Sequence, residues 1–172
     1  YMAKKDPTYL SVEEKLKTLY QLQTTLSSID DKRAMRGELP LEVQDLEDEI
    51  TGLNTRIEKI ENDIDEFNKA VAQKKGDITT AESSIARYKK QLDEVKNNRE
   101  YDTLTKEIEF QSLEVELCNK KISEALIKVA EKTKDLDETK LLINDRTAAL
   151  NEKKEELEEI MQETRDEEDK LK

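Results

Sequence analysis

The 172-residue sequence has no histidine and no tryptophan, one cysteine, two prolines and three glycines, and its aromatics amount to 4%. Each shortage excludes something. Without histidine there is no Ser-His or Cys-His nucleophile pair, no imidazole acid–base chemistry and no imidazole metal ligand, so an enzyme is not expected. The lone Cys118 can build no intrachain disulfide framework and points to a reducing compartment. With so few glycines and prolines, turns must be rare and helices long. No apolar run approaches the roughly 20 residues that span a bilayer, and Met2 to Pro7 lacks the apolar stretch of a signal peptide. The expectation is a cytoplasmic protein without a membrane partner.

What the sequence does have is charge. Asp, Glu, Lys and Arg make up 42% and the hydrophobic class 34%, against roughly 25% and 45–50% in an ordinary globular domain. Such a chain is too polar to wrap one compact core of its size. The formal net charge of −12 repels phosphate backbones as a whole. It is spread unevenly: residues 37–66 carry −9, residues 67–106 carry +3 and residues 107–172 carry −8. The acidic runs Glu47 to Glu49 and Glu155 to Asp169 lack calcium-loop spacing and read as solvated helix faces. No Walker loop, Gly-x-Gly-x-x-Gly or Cys-x-x-Cys is present. Neither a catalytic residue nor a cofactor or metal ligand is assigned within this chain.

Hydrophobic spacing decides the fold. From Val43 the positions Leu46, Ile50, Leu53, Ile57, Ile60, Ile64, Phe67, Val71, Lys74, Ile78, Ala81, Ile85, Tyr88, Leu92 and Val95 follow in unbroken 3-4 alternation. A seam of this kind specifies a coiled coil. A second stripe runs from Leu104 to Leu157 with Gln111, Lys132, Thr139, Arg146 and Lys153 among its members. Folded back, it sets Leu104 against Val95, Cys118 against Ala81, Lys132 against Phe67 and Leu157 against Val43. The expected fold is all-α: a long antiparallel coiled-coil hairpin with an additional N-terminal helix.

Two breaks organise the expected chain. After an N-terminal tail, residues 1–10, the Ser11–Glu14 capping box opens helix 1 over 11–36, whose stripe is Val12, Leu16, Leu19, Leu22, Leu26 and Ile29. An elbow over 37–41 follows, with Gly37 as left-handed C′ residue and Pro40 in the next first turn, beside Arg36. Helix 2 spans 42–96, the hairpin tip 97–101 and helix 3 102–172. Asn97 is the expected N-cap, with Glu100 three residues on. Asn97, Asn98, Arg99 and Tyr101 are the candidate partner-binding residues, since Arg and Tyr favour interface centres, although Asn-Asn also supplies turn and cap chemistry. Arg36, Gly37 and Pro40 are read as structural. Helix 1 lacks a partner within the chain, which leaves a fold-back, a homodimer or a longer chain; the longer chain is the reading adopted. Leu113, Leu117, Ile127 and Leu141 lie off the seam and could serve a second interface or pack helix 1.

The segments Arg36-Gly37-Glu38-Leu39-Pro40 and Lys96-Asn97-Asn98-Arg99-Glu100-Tyr101, with Leu19-Tyr20-Gln21-Leu22-Gln23, carry a resemblance. Through them the chain resembles the bacterial coiled-coil proteins that end in a four-cysteine zinc ribbon, in their Bacteroidetes version. The resemblance implies a long helical hairpin followed by a ribbon with two cysteine pairs, and therefore zinc in a full-length protein. Neither pair is present here, so the ribbon is expected beyond residue 172. Relatives are linked to an alternative sigma factor, to messenger RNA or to secretion components. The expected function is a non-enzymatic scaffold or adaptor that presents its tip to a protein partner. The alternatives are nucleic-acid association through the missing ribbon, or a purely structural spacer.

Overall fold

The computed structural model describes residues 7–171. Among them are two α-helices and no strand: α1, Pro7–Glu94, and α2, Asn98–Leu171. They form an all-α helical hairpin. The chain divides into two compact units, one of Tyr1–Thr51 with Asn144–Lys172 and the other of Gly52–Ile143. Within each unit a length of α1 packs against a length of α2.

The helices bury what the spacing says they should. All sixteen expected positions from Val43 to Val95 are buried or half-buried, and so are all sixteen from Leu104 to Leu157. In the Gly52–Ile143 unit the most withdrawn hydrophobic residues are Ile60, Val71, Ala81 and Cys118; in the other they are Leu39, Leu150 and Ile160. No described side chain is fully buried. One helix covers only one side of its neighbour, so each layer stays half-wet and stability is spread over many layers.

The polar seam members of α2 do more than extend their stems to water. In the first unit Arg146 Nε lies 2.8 Å from Glu49 Oε1 and Lys153 Nζ 3.2 Å from Glu42 Oε2. In the second, Lys132 Nζ lies 3.4 Å from Asp63 Oδ2, and the Lys128 ammonium sits 5.7 Å from the centre of the Phe67 ring. Glu42, Glu49 and Asp63 are separated by multiples of seven, as are Lys153, Arg146 and Lys132. The remaining rung would pair Arg56 with Thr139. Arg56 turns instead to Asp135, 2.9 Å away, while the Thr139 hydroxyl donates to the Asp135 carbonyl at 2.7 Å. These exposed pairs add little energy individually, at about 0–1 kcal/mol each. Their value is positional: a slip of one heptad keeps one acid–cation pair of the three, Glu49 with Lys153 or Glu42 with Arg146, and brings a cation of α2 opposite Arg56.

The expected break at residues 37–41 is absent, and helix 1 is not a separate element. α1 runs through Gly37 and Pro40, and no glycine has positive φ. The local signals were sound, since Pro40 denies the Arg36 carbonyl its helical partner. Tertiary contacts override them. Leu39 is 3% exposed, and Lys32 reaches Glu167 at 2.8 Å and Glu163 at 3.3 Å on α2. The elbow residue Arg36 lies 3.9 Å from Glu168. The first boundary moves as well. Residues 7–10 of the expected tail are helical, so Ser11 is interior to α1 and not its cap; residues 1–6 lie outside the described ones.

Two outcomes follow from this geometry. A Cβ added at Gly37 meets nothing within 4 Å, so Gly37→Ala should raise stability by about 0.5–1 kcal/mol, the helix-interior cost of glycine. Denaturant unfolding followed by circular dichroism reads this, and a loss of stability would restore the elbow. The second concerns pH. Lys32 is held above the ordinary lysine value of 10.5 by the hydrogen bonds it donates to Glu167 and then Glu163, and Lys153 by the hydrogen bond it donates to Glu42. A raised ammonium pKa means stabilisation complete below pH 10.5 and lost as pH climbs through the raised values. Melting temperature between about pH 9 and 12 should fall less steeply in Lys32→Met/Lys153→Met than in the parent.

Candidate partner-binding turn

The turn lies between two seam residues that are each half covered. α1 ends at Glu94, Val95 to Asn97 are non-helical, and α2 starts at Asn98. The turn is therefore shorter than expected and sits earlier in the chain. Asn98, Arg99 and Tyr101 belong to the first turn of α2. Asn97 ends the irregular stretch as N-cap: its Oδ1 accepts from the Arg99 N–H at 2.8 Å, and its carbonyl accepts from the Tyr101 N–H at 3.1 Å. The Val95 N–H donates to the Leu92 carbonyl at 3.4 Å, closing the end of α1.

All four candidate residues, Asn97, Asn98, Arg99 and Tyr101, are exposed, Tyr101 with half its surface in water. Beside them an open groove of about 550 Å³ is floored by Val95 and Leu104 and rimmed by Gln91, Glu94, Arg99, Glu100 and Thr103. The Thr103 and Thr105 hydroxyls donate to the Arg99 and Tyr101 carbonyls at 2.9 and 2.8 Å, so neither needs an outside partner. The groove offers an apolar floor, a cation and two carboxylates drawn from the end of α1 and the start of α2, and the exposed Tyr101 ring follows Glu100 on α2. It can bind, but it holds no nucleophile–base pair.

Sequence reasoning named the Arg99 and Tyr101 side but missed Gln91, Glu94 and Thr103. The available signal was the end of the seam. The last pair, Val95 and Leu104, has a neighbouring layer on one side only, so its floor stays open. The elbow residues Arg36, Gly37 and Pro40 lie in the other unit, on a continuous helix. Of the off-seam candidates, Leu113, Leu117, Ile127 and Leu141 are exposed, joined by Phe110, which the sequence reading had not singled out.

Cys118 is buried in the seam, and the chain contains no second thiol and no imidazole. Its residues do not fit a four-thiolate zinc site. Among the described residues, no group of three or more Cys, Asp or Glu is placed to hold a metal ion, and no helix is long and apolar enough to cross a membrane. No family model, curated protein or solved structure matches this chain.

The cap is testable without a partner. Asn97→Ala should destabilise the chain by about 1 kcal/mol and Asn97→Asp by much less, because only the second keeps an acceptor for the Arg99 N–H. Chemical denaturation of the two variants distinguishes a capping Asn97 from one that only faces solvent.

Proposed function

We propose that this chain is a non-enzymatic antiparallel coiled-coil scaffold that presents its turn, residues 95–97, and the first helical turn of α2 to a protein partner. The antiparallel coil is supported by the order of the ion pairs: as the α1 partner rises from Glu42 to Glu49, or from Arg56 to Asp63, its α2 partner falls from Lys153 to Arg146, or from Asp135 to Lys132. The observation that carries the binding role is the groove over Val95 and Leu104, with Arg99 on its rim; Tyr101, two residues on, is exposed. A guanidinium at the rim of an apolar floor and a solvent-exposed tyrosine ring nearby in the chain are of the types that dominate protein interfaces. The acidic charge of residues 37–66 and 107–172 disfavours a nucleic-acid partner for this chain. In the same reading the chain is the helical part of a cytoplasmic bacterial protein whose zinc ribbon follows residue 172.

Replacing Asn98, Arg99 and Tyr101 together by Ala leaves the Asn97 cap in place. The triple variant should keep its helicity and lose capture of the partner by at least tenfold, since truncating even one interface anchor costs more than about 1 kcal/mol. Capture is measured by affinity purification of the protein expressed from its complete gene. Unchanged capture by the triple variant would remove the turn from the interface.

A further inference from the structure

Residues 29–50 of α1 are repeatedly drawn against α2, whereas every residue from 11 to 28 is exposed. Val12, Leu16, Leu19, Leu22 and Leu26 each keep 49–60% of their surface in water. We propose that this face is a self-association surface, covered by the same segment of a second copy of the chain running in the opposite direction.

The first argument is an absence of charge. Thr18 to Ile29 is a run of twelve residues without a charged side chain, in a chain where charged residues are 42%; the next longest such runs, 7–12 and 50–55, have six. Elsewhere the solvated face of each helix carries charge at nearly every turn. A segment that drops charge on all faces suits a site that loses water on more than one side. Its polar groups suit this as well. The hydroxyls of Thr18, Thr24 and Thr25 donate to the carbonyls of Glu14, Tyr20 and Gln21 at 2.9, 3.0 and 2.8 Å. With their protons already placed, these threonines can enter an interface without leaving a donor unsatisfied.

The second argument is the order of the charges that bracket the run, and it selects the occupant. Reading inward from one end come Glu13 and Glu14, then Lys15 and Lys17; reading inward from the other come Arg33 and Lys32, then Asp31 and Asp30. Two copies laid antiparallel place inner lysines against inner aspartates and outer glutamates against the outer basic pair, at both ends at once. A parallel pair sets like against like throughout. Lys32 is already held by Glu163 and Glu167, so Arg33, which is exposed, carries the outer contact. The arrangement is isologous and closed, as a two-fold dimer requires. It does not depend on the turn reading.

Sedimentation equilibrium of the 172-residue chain tests the proposal. The expected mass is twice 20.0 kDa, with monomer appearing on dilution. Leu19→Asp/Leu26→Asp should return the chain to monomer with its melting curve otherwise preserved. Lys15→Glu/Lys17→Glu should weaken association by tenfold or more, and adding Asp30→Lys/Asp31→Lys to the same chain should restore it. The rescue also guards against variants that merely misfold. A mass of 20.0 kDa at every concentration overturns the proposal. So does a dimer that survives Leu19→Asp/Leu26→Asp, which would place the contact elsewhere, such as the Leu113 to Leu141 face. Failure of the double charge reversal to rescue would overturn the antiparallel arrangement.

Discussion

Each helix carries one apolar stripe, and neither can bury it alone. That constraint shapes everything else in the molecule. A chain with this much charge has no third layer to offer, so each stripe has only the other helix as cover. The result is a core one residue deep: small or branched side chains such as Ala81, Cys118, Ile60 and Val71 are the most withdrawn, and nothing is sealed on all sides. Apolar contact of this kind is indifferent to register, because any heptad resembles the next. The cations within the α2 seam are not indifferent. Lys153, Arg146 and Lys132 meet acids at matching intervals on α1, and a slip of one heptad would keep one of these three pairs and set Arg146 or Lys132 opposite Arg56. Weak pairs thus fix what strong burial leaves undetermined.

Most of this was legible in the sequence because the signal is periodic and long. The two sixteen-position seams came out residue by residue, and the turn was placed two residues late at its start and four at its end, with its cap correct, since Asn97 caps by chemistry that needs no tertiary knowledge. The elbow was misread for the opposite reason. Gly37 and Pro40 are local signals, and their weight depends on what the rest of the chain supplies. Proline in a helix interior costs about 3 kcal/mol, while full burial of one leucine-sized side chain returns about 1.5–3 kcal/mol. Leu39 at 3% exposure, with Lys32 anchored by two carboxylates on α2, is enough to hold the helix through the proline. Those contacts join residues more than a hundred positions apart, which no local pattern reports. The same oversight hid the partner of residues 29–39, because the second stripe does not stop at Leu157 but continues through Ile160, Thr164 and Glu167.

The candidate site was only half legible, and the physics of a seam explains the division. Exposed tip residues can be listed from sequence, but a groove needs to know where coverage fails. Coverage fails where a layer loses a neighbour. At the turn this leaves Val95 and Leu104 flooring an open groove, beside Arg99. Upstream of Ile29 on α1 it leaves the whole leucine face uncovered. Between such places a two-helix seam is closed to partners, because its apolar side chains face each other and its flanks carry charge. A protein built this way can present function at an interruption of the seam or on an off-seam face, and its long paired stretches hold such places in position. The proposed scaffold role rests on that division: the apolar ground it uses lies where pairing stops. A core one residue deep spends its apolar side chains on pairing, so the proposed binding places are the two where a layer is left uncovered.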